Sequence, residues 1–124
     1  MIRGVRGATT INENKEIEIV EATEILLRKM IEENSIDAEM VASVFISVTE
    51  DITAVFPAKA LRLIDGWKYV PVMCMREIPV DSSLEKCIRV MMHVNTNISQ
   101  QDINHIYLGD AIKLRPDLNT ADKI

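Results

Sequence analysis

Aromatic side chains are scarce in this chain: Phe45, Phe56, Trp67, Tyr69 and Tyr107 are all it has. So few rings leave little for stacking on bases, and a net charge of −5 offers no broad phosphate-seeking field. Together these exclude a general nucleic-acid binder, although a local cluster of arginines can still hold a small anion. Cysteine is equally sparse, and Cys74 and Cys87 form neither a CxxC pair nor a zinc-ligand spacing. No stretch approaches the ~20 apolar residues of a membrane span. The polar opening MIRGVRGATT lacks the apolar core of a signal peptide. A cytoplasmic protein with two free thiols and no membrane contact is therefore expected. Gly4-Val5-Arg6-Gly7 has neither the spacing nor the following helix of a phosphate loop. His93, His105 and the glutamates of 16–34 show no ligand spacing or catalytic constellation, so neither metal nor cofactor is expected.

What is present is an ordinary globular composition, 48% hydrophobic and 27% charged over 124 residues, with no repeat or linker. One domain over 1–124 is expected, with the polar tail from about 116 mobile. Residues 1–8 alternate like a strand with Arg3 and Arg6 on opposite faces, and two glycines there imply close backbone approach or a bulge. Ile19, Thr23, Leu26, Leu27, Met30 and Ile31 recur at helical spacing within 16–34, predicting one long helix. Ser35 to Glu39 reads as a cap and short turn, and 41–48 as a buried β-branched strand. Pro57 opens a short helix over 57–64, with Gly66 as its terminator. Further strands are expected at 69–77, at 86–96, in HIYLG and in AIKLR, with a capping box at Ser99 to Asp102. The order defines an α+β fold, a mixed sheet covered by one long helix. One helix cannot easily cover both faces of such a sheet, which implies self-association of unspecified number.

Arg89 is the most informative residue. Cys87, Arg89, Met91 and His93 lie on one face of its strand, and Ile88, Val90, Met92 and Val94 on the other. Both faces are largely apolar, so the strand is expected to be covered on both sides. A guanidinium there stays charged and needs an anionic partner: a structural carboxylate, or a ligand. Glu77 ends an apolar strand, as many surface glutamates do. Cys74, three residues earlier, points to the other face of a regular strand and lines the same pocket only if the chain bends.

RGVRGAT (3–9), AVFPAKALR (54–62), GWKYVPVMCMRE (66–77), KCIRVMMHV (86–94), YL (107–108) and LRPDL (114–118) resemble, in order, the monofunctional chorismate mutases of the Bacillus type. The resemblance runs from residue 2 to about 118. It implies a homotrimer that forms a pseudo-α/β barrel, with active sites between adjacent subunits. The substrate would be chorismate, rearranged to prephenate in phenylalanine and tyrosine biosynthesis. Arg89, Glu77 and Arg6 would be the catalytic residues, Arg89 on the ether oxygen of the breaking bond and Glu77, with Cys74, at the ring hydroxyl. Tyr107 and Arg6 would hold a carboxylate, and Phe56, Ala58, Val72 and Leu114 would form apolar walls. Lys59, Arg62 and Arg115 would stand at the mouth. Met73 replaces an expected threonine, so a contact there would use backbone atoms, and Ser82-Ser83 replaces a glycine pair. Two other readings fit the same fold: a trimeric binding protein for a small carboxylate that performs no turnover, and a structural or regulatory subunit. Turnover of chorismate separates the first from both.

Overall fold

Residues 1–114 are described by a computed structural model of the chain. Arg115 and the tail expected to be mobile from about 116 lie outside the described residues. Five strands form one mixed sheet in the order β3-β2-β4-β1-β5. They are β1 (Ile2–Thr10), β2 (Val41–Val48), β3 (Val72–Arg76), β4 (Cys87–Asn95) and β5 (Ile106–Tyr107), with the helix α1 (Glu16–Glu33) between the first two. β4 runs antiparallel to both β1 and β2, while β3 adds in parallel to β2 and β5 in parallel to β1.

The helix covers one face of this sheet. Ile19, Leu26, Leu27 and Met30 are fully buried along α1, as the helical spacing predicts. They meet the face of the sheet that carries Val5, Val44, Ile46, Ile88, Val90, Met92 and Val94. Gly7 lies under the helix: a Cβ there would collide with the Met30 thioether and stand 3.0 Å from Leu26 Cδ1. That is the close backbone approach expected of a glycine inside a strand. Gly4 faces the other way, toward Met91.

Among the described residues nothing covers the opposite face, so the cover expected on both sides of β4 comes from only one side here. The Arg89 side chain is 46% exposed, and Met91 and His93 are half-buried. Phe45, Met73 and Met75 are exposed on the neighbouring strands. Among the described residues the one long helix lies on one side, so it satisfies the apolar pattern of only one β4 face.

Other elements differ in detail. β3 is shorter than 69–77 because the chain turns between Trp67 and Val70, where Val70 N donates to Trp67 O. Pro71 has no N–H to add to the ladder, and its carbonyl accepts from Val44 N at 2.9 Å. The short helix is a 3₁₀ segment, Pro57–Leu63, entered through Pro57 as expected. AIKLR is no strand. Gly109 takes φ +56°, and the 3₁₀ segment Gly109–Leu114 folds back on β1, its Asp110 N–H donating to Thr10 Oγ1 at 3.1 Å. Ser99 does not cap the following turn with its side chain; its hydroxyl donates instead to Asp102 Oδ2. Ser82 adopts φ +65° in the turn before β4, the left-handed conformation that a glycine takes without cost.

Candidate active site

The polar groups of the uncovered sheet face converge by register. Ser47 on β2 stands opposite both Arg89 on β4 and Met75 on β3, while Arg6 on β1 stands opposite Met91. Glu77 follows β3, where its backbone N–H donates to Val48 O at 2.9 Å. Its carboxylate accepts from Ser47 Oγ at 2.9 Å and from Arg89 Nη1 at 3.2 Å, both on Oε2. Pairing of β5 with β1 places Tyr107 opposite Ala8. The result is a cavity of about 250 Å³ lined by Arg6, Ser47, Glu77, Arg89 and Tyr107, with Phe45, Met75 and Met91 as its apolar wall.

A guanidinium carries five N–H donors in a rigid fork. Glu77 engages one nitrogen of Arg89, which leaves donors for a ligand. The Arg6 backbone N–H donates to His105 Nδ1 at 2.9 Å, so His105 fixes the strand beside the arginine through its unprotonated ring nitrogen. His93, on the same face, lies 3.0 Å from Ser43 Oγ and meets Phe45 edge-on.

The remaining predicted residues gather elsewhere. Phe56, Ala58, Lys59, Arg62, Val72, Met73 and Cys74 line a second cavity of about 430 Å³ beside the Pro57–Leu63 segment. Cys74 thus lies on the opposite side of β3 from Glu77, as strand alternation requires, and no bend brings them together within one chain. Burial raises the Cys74 thiol, an effect opposed by a hydrogen bond from the Ala58 backbone, so it is a weak nucleophile near neutrality. Leu114 ends the Gly109–Leu114 segment and lines neither cavity. Lys59 Nζ donates to Glu16 Oε1 at 2.6 Å across to the start of α1.

Ser47, Phe45 and Met75 escaped the sequence reading, while Met91 was placed on Arg89's face but not in the site. Their signal was the alternation of β2, β3 and β4, which assigns each residue a face. Which faces meet depends on strand order and register, and the sequence pattern does not contain these.

Two arginines, a carboxylate and a phenol around a small open cavity define a site for a compact anionic ligand. Comparison with known proteins narrows that class. Residues 2–118 match the family model described as chorismate mutase type I. The chain is 53% identical over 119 residues to the chorismate mutase AroH of Bacillus subtilis (strain 168), covering 96% of this chain and 94% of that protein. It is 47% identical over 122 residues to the AroH of Thermus thermophilus, covering 98% and 99%. A solved chorismate mutase from Clostridium thermocellum superposes with a TM-score of 0.84 at 49% identity, covering 87% of this chain and 96% of that one. The chain belongs to the chorismate mutase type I family.

Proposed function

We propose that this chorismate mutase rearranges chorismate to prephenate in a cleft made by two neighbouring copies of the chain within a homotrimer. The observation that carries this reading is the division of the predicted site residues into two cavities on opposite sides of the edge strand β3. The first, with Arg6, Glu77, Arg89 and Tyr107, encloses about 250 Å³, below the ~300 Å³ at which small-molecule pockets begin. The second supplies apolar walls from Phe56, Ala58 and Val72, and cations from Lys59 and Arg62. Each lacks what the other has. Docking the open sheet face of one copy against the second cavity of its neighbour completes the pocket and buries Phe45, Met73 and Met75. A cyclic arrangement repeats that heterologous contact until it closes. The pseudo-α/β barrel of the trimer follows from three such sheets around one axis. We place the protein in the cytoplasm on its two unpaired thiols; among the described residues no helix is long and apolar enough to cross a membrane.

The chemistry asks for positioning and charge. Chorismate must fold its enolpyruvyl arm over the ring before one C–O bond breaks and one C–C bond forms within the same molecule. No nucleophile, acid or base is consumed. Arg6 and Tyr107 hold a carboxylate of the dianion, Lys59 and Arg62 attract it at the mouth, and the apolar walls exclude extended conformers. Restricting the substrate to a near-reactive geometry removes an entropic part of the barrier. As the C–O bond stretches, negative charge grows on the ether oxygen, and the donors of Arg89 not engaged by Glu77 meet it there. Glu77 accepts from the ring hydroxyl and faces the positive charge developing on the ring. Ser47 keeps that carboxylate oriented. Because these groups are fixed by strand register before substrate arrives, little reorganisation is left for the reaction itself.

The test is disappearance of chorismate with purified protein, with prephenate identified by acid conversion to phenylpyruvate. Turnover without added cofactor, undiminished by a chelator, is the expected result. Arg89→Ala should cost at least ~3 kcal/mol of transition-state stabilisation, about a hundredfold or more in kcat, with the fold retained. Arg89→Lys recovers only part, since an ammonium lacks the planar fork. Wild-type rates in Arg89→Ala would remove that residue from the mechanism.

A further inference from the structure

The second cavity depends on a short exposed span. Ile52 anchors one end of it, 3% exposed, with its N–H donating to Thr49 O. Buried Pro57, Ala60 and Leu61 anchor the other. Between them run Thr53, Ala54, Val55 and Phe56, and the Phe56 side chain is 76% exposed. Nothing in the apolar core holds Thr53 and Ala54, which are both exposed. A residue 39 positions away does. Asn14, in the loop before α1, accepts from Thr53 N at 2.9 Å and from Ala54 N at 3.1 Å on Oδ1. Its Nδ2 donates to Thr53 Oγ1 at 2.8 Å.

We infer that Asn14 is a positioning residue for the reaction: it clamps the 53–56 span so that Phe56, Ala58 and Lys59 stand preformed for the substrate. This rests on the reading of the second cavity as half of the active site. Asn14 lines neither that cavity nor the one at Arg89, so it acts through the span and not on the substrate. One amide side chain satisfies two successive backbone N–H groups and a hydroxyl, which fixes both the direction and the height of the span above the sheet. The nearby Lys59–Glu16 ion pair joins the same two regions, but both partners are more than half exposed. Such a pair contributes little by itself. The three neutral hydrogen bonds of Asn14 carry the restraint, each a modest net gain and together enough to matter.

Loss of the clamp leaves the chemistry intact once substrate is bound, because the groups that meet the reacting atoms sit on β1, β4 and β5 and directly after β3. The span must then be ordered at the moment of binding, and that cost appears in affinity. Asn14→Ala should therefore raise KM for chorismate about tenfold while kcat stays within about twofold. A role confined to fold stability would instead lower the active fraction, and kcat with it, at constant KM. Asn14→Asp keeps the Oδ1 acceptor for both Thr53 N and Ala54 N, and the Thr53 hydroxyl can turn to donate to the second carboxylate oxygen. It should restore KM to within about threefold of wild type.

The experiment measures kcat and KM of Asn14→Ala, Asn14→Asp, Phe56→Ala and Lys59→Ala, with thermal unfolding midpoints alongside. A raised KM in Asn14→Ala, rescue by Asn14→Asp and weakened kinetics in Phe56→Ala or Lys59→Ala support the inference. Wild-type KM in Asn14→Ala, or failure of Asn14→Asp to rescue, overturns it while leaving the two-cavity site standing. Wild-type kinetics in both Phe56→Ala and Lys59→Ala overturn the site reading, and the positioning role with it.

Discussion

Arg89, Glu77 and Ser47 show how one residue's environment sets its task. Arg89 is neither fully buried nor freely solvated: its side chain is 46% exposed, against 26% for its partner Glu77. An ion pair this open gives little stability, so its value lies in aiming two charged groups at one cavity. Beside them Cys87 presents the opposite case. Burial pushes its thiol up to about 11; the Arg89 charge opposes that rise, while Glu77 and Asp51 reinforce it. A thiol with a raised folded-state value stabilises the fold fully below its ordinary value of about 8.5 and loses that contribution as pH climbs through the folded value. Unfolding free energy should therefore fall between about pH 8.5 and 11, and Cys87→Ala should flatten that part of the profile. Equal slopes for both proteins in denaturant titrations across that window would contradict the assignment. Arg89 could be singled out from the chain itself, because a charge in an apolar strand asks for a partner, whereas Glu77 reads there as a strand-end glutamate and enters only through the family resemblance. Ser47 could not, since a serine at a strand face is unremarkable until register sets it opposite Arg89.

The elements were legible wherever a single periodicity ran long enough. α1 and β2 fall at the expected residues, and β1 and β4 close to them, because burial on one side imposes periods of 3.6 and 2. The pattern failed where tertiary contacts outvote it. AIKLR has strand-like residues, yet the turn at Gly109 and the hydroxyl of Thr10 fold its described part, through Leu114, into a 3₁₀ segment, with Ala111 fully buried. Arg115 and the rest of the tail lie beyond the described residues. The contact between β1 and α1 makes its own prediction. Gly7→Ala forces a methyl into the Met30 thioether and Leu26 Cδ1, and overpacking of this kind costs ~1–3 kcal/mol. A lower denaturation midpoint in that variant is the expected outcome. An unchanged midpoint would mean that the Met30 side chain yields freely and that the helix does not rest on Gly7.

At the scale of the molecule, the exposed sheet face and the two cavities belong together. Among the described residues a single helix covers one side of the sheet and leaves Phe45, Met73 and Met75 in water, and the proposed site residues fall into two cavities on either side of β3. The apolar character of both β4 faces was readable in the sequence. With one long helix it pointed to self-association, but a pattern of burial does not say how many copies meet or which surface of a neighbour supplies the cover. Two variants disabled in different halves test the point directly. Arg89→Ala removes the proposed ether-oxygen donor from the cavity with Glu77, and Lys59→Glu with Arg62→Glu would repel the dianion from the other cavity. Each variant alone should turn over chorismate poorly. Unfolded together and refolded as an equal mixture, they should recover about a quarter of wild-type activity, because random assembly pairs two intact halves at about one site in four. Recovery to that level establishes a site shared between neighbours. A mixture no more active than its separate components, in trimers shown to contain both chains, would contradict it and place the whole site within one chain.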